Sequence, residues 1–251
     1  MTGPAHLWRP SPAELTLLSA EVHIWRACLD PSASWVERLQ RNLSPDELQR
    51  AARFHFPRDR RRFTVARGVL RDILSRYLGV PPSELRFRYS SYGKPALADG
   101  FDDRGVRFNL SHSHEMALFA VTCGREVGID IEYLDREIRA EEIAEHFFST
   151  RERASLRALP AEAKHAAFFN CWTRKEAYIK AHGEGLSLPL DQFDVSLAPG
   201  EPAALLATHG DPREASRWSL QALTPGANYV AALAVERRGC QLTCWQWSAI
   251  S

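Results

Sequence analysis

Two short segments, about forty residues apart, constrain this chain more than anything else in it. Gly128-Ile129-Asp130-Ile131-Glu132 alternates apolar and acidic residues. That is strand periodicity. A strand places residues i and i+2 on one face, so Asp130 and Glu132 point together while Ile129 and Ile131 bury the other way. Trp172-Thr173-Arg174-Lys175-Glu176-Ala177-Tyr178-Ile179-Lys180 contains no Gly or Pro and predicts a helix. There i and i+4 share a face, so Glu176 and Lys180 sit one turn apart. Taken alone, each segment has an ordinary reading: a half-buried strand with solvated acids, and a surface ion pair on a helix. Brought together, they give Asp130, Glu132 and Glu176 beside Lys175 and Lys180. That is a donor set for a hard divalent ion on a polyphosphate. Mg²⁺ takes oxygen ligands, often a few carboxylates plus substrate phosphates, and lysines neutralise phosphate as point charges.

The rest of the chain predicts an α+β fold. Residues 1–19 are punctuated by Pro and predict an extended arm. Glu21 to Leu29 alternates as a strand. Ser44-Pro45-Asp46-Glu47 is a helix start, with Ser at the N-cap, Pro at N1 and Glu at N3, and a short helix runs to about Phe54. Asp59 to Tyr77 is a long helix stopped by Gly79 and by Pro81-Pro82. Strands follow over Leu85–Tyr89, Val106–Leu110, Met116–Thr122 and Glu126–Glu132. The spacing then predicts helices over Ala140–Phe147, Ser149–Leu159 and Ala163–His182, the last ending at Gly183. Phe193–Leu197, Trp218–Leu223, Tyr229–Val235 and Leu242–Trp247 read as strands. Each half thus has a long helix ending at Gly, a short strand, and a hairpin with an apolar second strand. This is a structural pseudo-repeat, with halves over 1–122 and 123–251. A site at their junction is expected, because ligand pockets favour domain interfaces.

Composition excludes several function classes. The net charge of +1 gives no global basic field for nucleic acid. Arg50, Arg53, Arg58, Arg60, Arg61, Arg62, Arg67, Arg71 and Arg76 crowd one stretch, most of them as a solvated helix face. Cys28, Cys123, Cys171, Cys240 and Cys244 show no zinc spacing. The odd count without a framework fits a reducing cytosol. A secretory signal is not expected, and no apolar run nears the ~20 residues that span a bilayer. The expectation is a cytoplasmic protein with no membrane and no nucleic-acid partner.

G-I-D-I-E followed by W-x-x-K-E-A-x-x-K resembles the signature of the 4′-phosphopantetheinyl transferase superfamily, in its long Sfp type. Tyr92-Gly93-Lys94-Pro95, Phe108-Asn109-Leu110-Ser111-His112-Ser113, the stretch Arg62 to Arg71 and Gly183-Glu184-Gly185-Leu186 match the same family in the same order. The resemblance spans roughly residues 44–197. It implies two similar α+β halves in a pseudo-twofold arrangement, with coenzyme A in the cleft between them. It implies Mg²⁺, with Mn²⁺ as an alternative, on Asp130, Glu132 and Glu176, bridging the coenzyme A pyrophosphate. Lys175 would contact phosphate, and Lys180 would act near the scissile pyrophosphate. Ser111 and His112, read as a turn after the strand, would contact the coenzyme phosphates. Lys94 would lie near the adenine and phosphate end, and Arg62, Arg67 or both would grip the 3′-phosphate. Where some relatives carry basic residues in the Ser-Pro helix, this chain has Glu47 and Arg50. His114 stands where a small residue is commoner, and no role is assigned to it.

The aromatic residues Phe168, Phe169, Trp172 and Tyr178 recur at helical spacing, and Trp172 and Phe169 are read as core. Phe147, Phe148 and Leu186 are candidates for a partner-docking surface. Gly183-Glu184-Gly185 ends a helix rather than starting one, so it is no phosphate loop. The implied activity moves 4′-phosphopantetheine from coenzyme A to a serine of an apo acyl or peptidyl carrier protein, releasing adenosine 3′,5′-bisphosphate. Asp130, Glu176 and Lys180 would carry the chemistry. The serine proton would go to Glu176 directly or through a metal-bound water. Fatty-acid, polyketide and peptide-synthetase carriers all fit, and the long form implies breadth or a role in secondary metabolism. One chain supplying both sides of a cleft predicts a monomer. Two rival readings are a coenzyme- or carrier-binding module without catalysis and a Mg²⁺-dependent nucleotide hydrolase.

Overall fold

A computed structural model describes residues 6–101, 105–135, 137–183, 185–237 and 239–248, with the backbone alone at 186. In chain order the elements are β1 (Arg9–Pro10), β2 (Glu21–Cys28), α1 (Ala33–Gln40), α2 (Pro45–Ala52), α3 (Pro57–Leu78), β3 (Phe87–Tyr89) and β4 (Pro95–Leu97). Then come β5 (Val106–Ser113), β6 (Met116–Cys123), β7 (Val127–Tyr133), α4 (Ala140–Phe147), α5 (Thr150–Ala158) and α6 (Ala161–His182). The chain closes with β8 (Phe193–Val195), β9 (Leu205–Thr208), α7 (Glu214–Arg217), β10 (Trp218–Leu223), β11 (Tyr229–Glu236) and β12 (Gln241–Gln246).

Both long helices stop where a glycine takes the left-handed conformation, Gly79 at φ 69° and Gly183 at φ 86°, which costs a glycine little. The N-terminus of α5 carries a capping box: Ser149 Oγ accepts the Glu152 N–H at 3.2 Å, and Glu152 accepts the Ser149 N–H at 2.9 Å. Glu47 bonds back to the Ser44 N–H at 3.1 Å in α2. These contacts satisfy N–H groups that a helix start leaves without partners.

The strands form two main sheets. One has five strands in the order β1-β12-β2-β6-β5, and the other has three in the order β10-β11-β7. The layers follow from which faces are apolar. Helix α3 buries Val65, Val69, Ile73 and Leu74 against Trp25, Phe119 and Val121 of the larger sheet. Helix α6 buries Phe168, Tyr178 and Ala181 against Leu220, Ala232 and Ala234 of the smaller one. Between the sheets, Val22, Ile24, Leu118 and Ala120 meet Val127, Ile129, Ile131 and Leu233. The two apolar residues of the Gly128–Glu132 segment therefore point into the inter-sheet core, and the alternate residues are left for α6. Strand β12 runs parallel to β2 and joins the sheet built mostly from the first half of the chain. Arg9–Pro10 of the N-terminal arm pairs on its outer edge.

Helix α1, strands β4 and β9 and helix α7 were not evident in the sequence pattern. All are short, and β4 and β9 are second partners of two-stranded ribbons, held by pairing rather than by periodicity.

Candidate functional site

Close packing of one helix on one strand brings the charged residues together. A Cβ on Gly128 would lie 2.1 Å from the Ala177 carbonyl oxygen and 2.3 Å from the Ala181 nitrogen. Only glycine allows the backbone of α6 to come down on β7 at this point. One register step along, Asp130 faces the turn of α6 that carries Glu176 and Lys180. Lys180 Nζ lies 2.5 Å from Asp130 Oδ1 and 3.0 Å from Ser111 Oγ. Ser111 in turn donates to Asp130 Oδ1 at 2.9 Å. Asp130 is 3% exposed, and its second oxygen, Oδ2, is buried with no hydrogen-bond partner among the described residues. Glu132 accepts a bond from Ser113 at 3.0 Å, and the Trp172 indole lies near enough to favour its charged form.

The charges perturb one another strongly. Burial, then the neighbouring Asp130 and Glu132, push the Glu176 carboxyl up to about 7, with Lys180 opposing. Glu132 moves up for the same reasons, burial first and Asp130 second, while Ser113, Lys180 and Trp172 pull it back. Burial works against the Lys180 charge, yet Asp130, Glu176 and Glu132 together hold the ammonium above its ordinary range. Among the described residues no three His, Cys, Asp or Glu side chains close up into a metal cluster, and the cation nearest Asp130 is Lys180. The donor chemistry nevertheless suits a hard divalent ion. The three carboxylates carry more negative charge than one lysine offsets, and Asp130 Oδ2 is a buried oxygen still lacking a donor. Oxygen-only ligation by a few carboxylates is the Mg²⁺ pattern.

The other expected site residues separate into groups. His112 and Arg62 line one cavity of about 410 Å³, together with Phe54, Phe63, Ser113 and His114. Loss of solvent around the ring, then the cations Lys180 and Arg62, push His112 below its ordinary pKa, with Asp130 opposing. Arg62 is tied to Asp30 at 2.6 Å. Lys94 lies at the far end of α6, bonded to Glu126 and to the Ala181 carbonyl, both at 2.9 Å. It lines a second cavity of about 380 Å³ with Arg107, Tyr89, His182 and Gly183. Glu184 and the Leu186 side chain lie outside the described residues.

Several expectations are corrected. Ser111 and His112 are not in a turn. They are the sixth and seventh residues of β5, paired with Leu118 and Ala117, and the turn comes at His114, at φ 52°. Lys175 does not reach a phosphate site. It is 0% exposed, and its ammonium is held by Glu152 at 2.8 Å and by the carbonyls of Leu190 and Phe193 at 2.6 and 2.7 Å. Arg67 is likewise buried, on Glu47 at 2.8 Å and Tyr89 at 2.6 Å, while Arg71 takes the other Glu47 oxygen at 2.6 Å. Glu47 is therefore the anion between two buried arginines, which gives an acid in this helix a structural role. Phe148 is buried and stacked on Phe168, whereas Phe147 is on the surface. Trp172 is only partly core, because it also reaches Glu132. The sequence reading missed Gly128, Asn109 and Ser113 as site-building residues. The polar alternation Asn109, Ser111, Ser113 was the available signal.

Two family profiles match the chain. One, described as the 4′-phosphopantetheinyl transferase superfamily, covers residues 126–234. The other, described as the N-terminal part of 4′-phosphopantetheinyl transferase, covers residues 27–124. The 4′-phosphopantetheinyl transferase HetI of Nostoc sp. is 49% identical over 96% of this chain and 99% of its own length. The 4′-phosphopantetheinyl transferase Sfp of Bacillus subtilis is 35% identical over 64% of this chain and 69% of its own.

Proposed function

This chain belongs to the 4′-phosphopantetheinyl transferases and transfers phosphopantetheine to carrier proteins, and from that premise we propose how its residues divide the work. The donor is coenzyme A, and the acceptor is a serine hydroxyl of an apo acyl or peptidyl carrier protein. The serine oxygen attacks the β-phosphorus, the bond to the adenosine 3′,5′-bisphosphate leaving group breaks, and the serine proton is taken up by a base. The observation that carries the assignment is Asp130. It meets Lys180 and Ser111 through one oxygen and keeps the other buried without a donor.

Asp130, Glu132 and Glu176 would hold Mg²⁺, or Mn²⁺ in its place, which when bound neutralises the charge of the pyrophosphate. Lys180, an ammonium held charged by three carboxylates, is pre-placed to stabilise the charge that builds on the departing phosphate. Arg62 and His112, facing one cavity, are the pair for the 3′-phosphate. An arginine fork suits that group. Ser111 supports the site by holding Asp130 and Lys180, and Lys94 would meet the adenine end through the cavity it lines with Tyr89 and Arg107. Glu176, one helical turn from Lys180, would take up the serine proton, directly or through water. Most of the catalysis is then positioning and charge neutralisation.

The same reading places the site in a cleft between two similar halves, 1–122 and 123–251, in pseudo-twofold relation, with β12 returning to the first half's sheet. It makes the enzyme a monomer. None of the five cysteines forms a disulfide, in keeping with the cytoplasm, and among the described residues no helix is long and apolar enough to cross a membrane.

The test is the intact mass of apo carrier proteins after incubation with this enzyme, coenzyme A and Mg²⁺. A gain of one phosphopantetheine arm, lost with EDTA and with Asp130→Ala, is expected. Full activity in EDTA would overturn the metal assignment. Coenzyme A cleaved without carrier modification would overturn the carrier as acceptor.

A further inference from the structure

Strands β5 and β7 are edge strands of different sheets, with no backbone ladder between them. They are joined by side chains instead, and the joining side chains recur every second residue. Asn109 Oδ1 accepts the Ile129 N–H at 2.9 Å. Ser111 Oγ donates to Asp130 Oδ1 at 2.9 Å. Ser113 Oγ donates to Glu132 Oε2 at 3.0 Å and accepts the Tyr133 N–H at 3.0 Å. Alternation puts residues 109, 111 and 113 on one face of β5, so this face acts as a comb laid along the outer edge of β7.

Ser113 does two things in this comb. An edge strand presents N–H groups that its own sheet leaves unpaired, and Ser113 satisfies the one at Tyr133. A hydroxyl has one proton and two lone pairs. With its oxygen fixed by a backbone N–H, its single proton is left for Glu132. Ser111 repeats the pattern, accepting from Lys180 and donating to Asp130. The difference is that Ser113 is anchored to a main-chain N–H rather than to a side-chain ammonium.

We propose that Ser113 is a positioning residue that aims the Glu132 carboxylate at the divalent cation, working from the other sheet through the Tyr133 N–H. This rests on the assignment of Glu132 as a cation ligand. Partners outside the ligand set that orient a ligand are worth about 10–100-fold in metal affinity.

The experiment is a Mn²⁺ titration followed by electron paramagnetic resonance, with coenzyme A present and no carrier, so that nothing turns over. Wild type is compared with Ser113→Ala and with the near-isosteric pair Ser113→Thr and Ser113→Val, each checked for folding by urea denaturation. The Thr variant keeps the hydroxyl and should bind Mn²⁺ about as wild type does. The Val and Ala variants should bind about 10–100-fold more weakly. The Thr–Val comparison keeps the test decisive if the Ala variant does not fold. Equal Mn²⁺ affinity in the Thr and Val variants, with wild-type binding intact, would overturn the role of Ser113 alone. Absence of Mn²⁺ binding by the wild type would instead overturn the cation assignment, and this inference with it.

Discussion

Gly128→Ala is the smallest change that should separate folding from site geometry in this enzyme. The new Cβ would sit 2.1 Å from the Ala177 oxygen and 2.3 Å from the Ala181 nitrogen, whereas ordinary contact begins near 3.4 Å. Both obstacles are helix backbone, so neither can rotate away. Helix α6 must retreat from β7 by about 1 Å, at a cost typical of overpacking, about 1–3 kcal/mol. The retreat carries Glu176 and Lys180 with it and stretches the 2.5 Å contact between Lys180 and Asp130. A misplacement of about 1 Å can cost on the order of 100-fold in rate, so kcat/KM should fall by about that factor. The matched control is Gly124→Ala. Gly124 has φ 66° and nothing near its Cβ position among the described residues, so the substitution strains the backbone by roughly 1–2 kcal/mol without touching α6. Urea denaturation would measure both stabilities, and carrier-modification kinetics both rates. The two variants should lose similar stability, and only Gly128→Ala should lose activity. A Gly128→Ala enzyme with kcat/KM near that of wild type would refute the idea that close approach of α6 builds the site.

Other consequences can be measured directly. Lys175→Met leaves Glu152 as a buried charge without its cation, and breaking a buried pair in this way costs about 3–5 kcal/mol; a urea midpoint close to wild type would contradict this account of Lys175. Glu176 has a folded pKa of about 7, raised from 4.5. Its neutral form therefore favours the fold fully below the unfolded pKa, and that contribution is lost as pH rises through about 7. In EDTA, Glu176→Gln should thus be more stable than wild type at pH 8, by about 3 kcal/mol at most, and equal to it near pH 4.5; a Gln variant less stable at pH 8 would reverse the sign. Arg62→Ala should raise KM for coenzyme A about tenfold or more, as expected for a lost charge-assisted bond, yet leave dephospho-coenzyme A unaffected; equal effects on both substrates would move the 3′-phosphate elsewhere. His23, buried beside Tyr77 and Trp245, has its pKa lowered by burial with Glu21 opposing. Its contribution is present above the unfolded value of 6.5 and fades as pH falls below it, so His23→Gln should flatten the acid limb of a stability–pH curve.

Local pattern made much of this molecule legible before any tertiary contact was known. The alternation through Gly128–Glu132 determined that Asp130 and Glu132 share a face opposite Ile129 and Ile131, because strand period is a property of the backbone. Gly79 and Gly183 determined where both long helices stop, because the left-handed conformation they adopt disfavours residues with a Cβ. The i, i+4 spacing put Glu176 and Lys180 on one side of α6. What the chain could not announce is which of two adjacent side chains turns inward to an ion pair and which to the site. Lys175 and Glu176 are neighbours in sequence, yet successive residues of a helix point about 100° apart, and the partner of Lys175, Glu152, comes from a different helix. Glu47 shows the same limit, since its meaning depends on Arg67 and Arg71 from α3. Ser111 and His112 looked like a turn because polar residues after a strand usually are one, and Ser113 follows them directly. Only the opposing edge of β7, brought there by the packing of two sheets, makes Ser111 and Ser113 strand residues that hold carboxylates. Periodicity therefore determined the main elements and their faces, while the cations that pair with Glu47, Asp130 and Glu152 were decided by tertiary packing, because a buried charge must be paired and those partners come from distant parts of the chain.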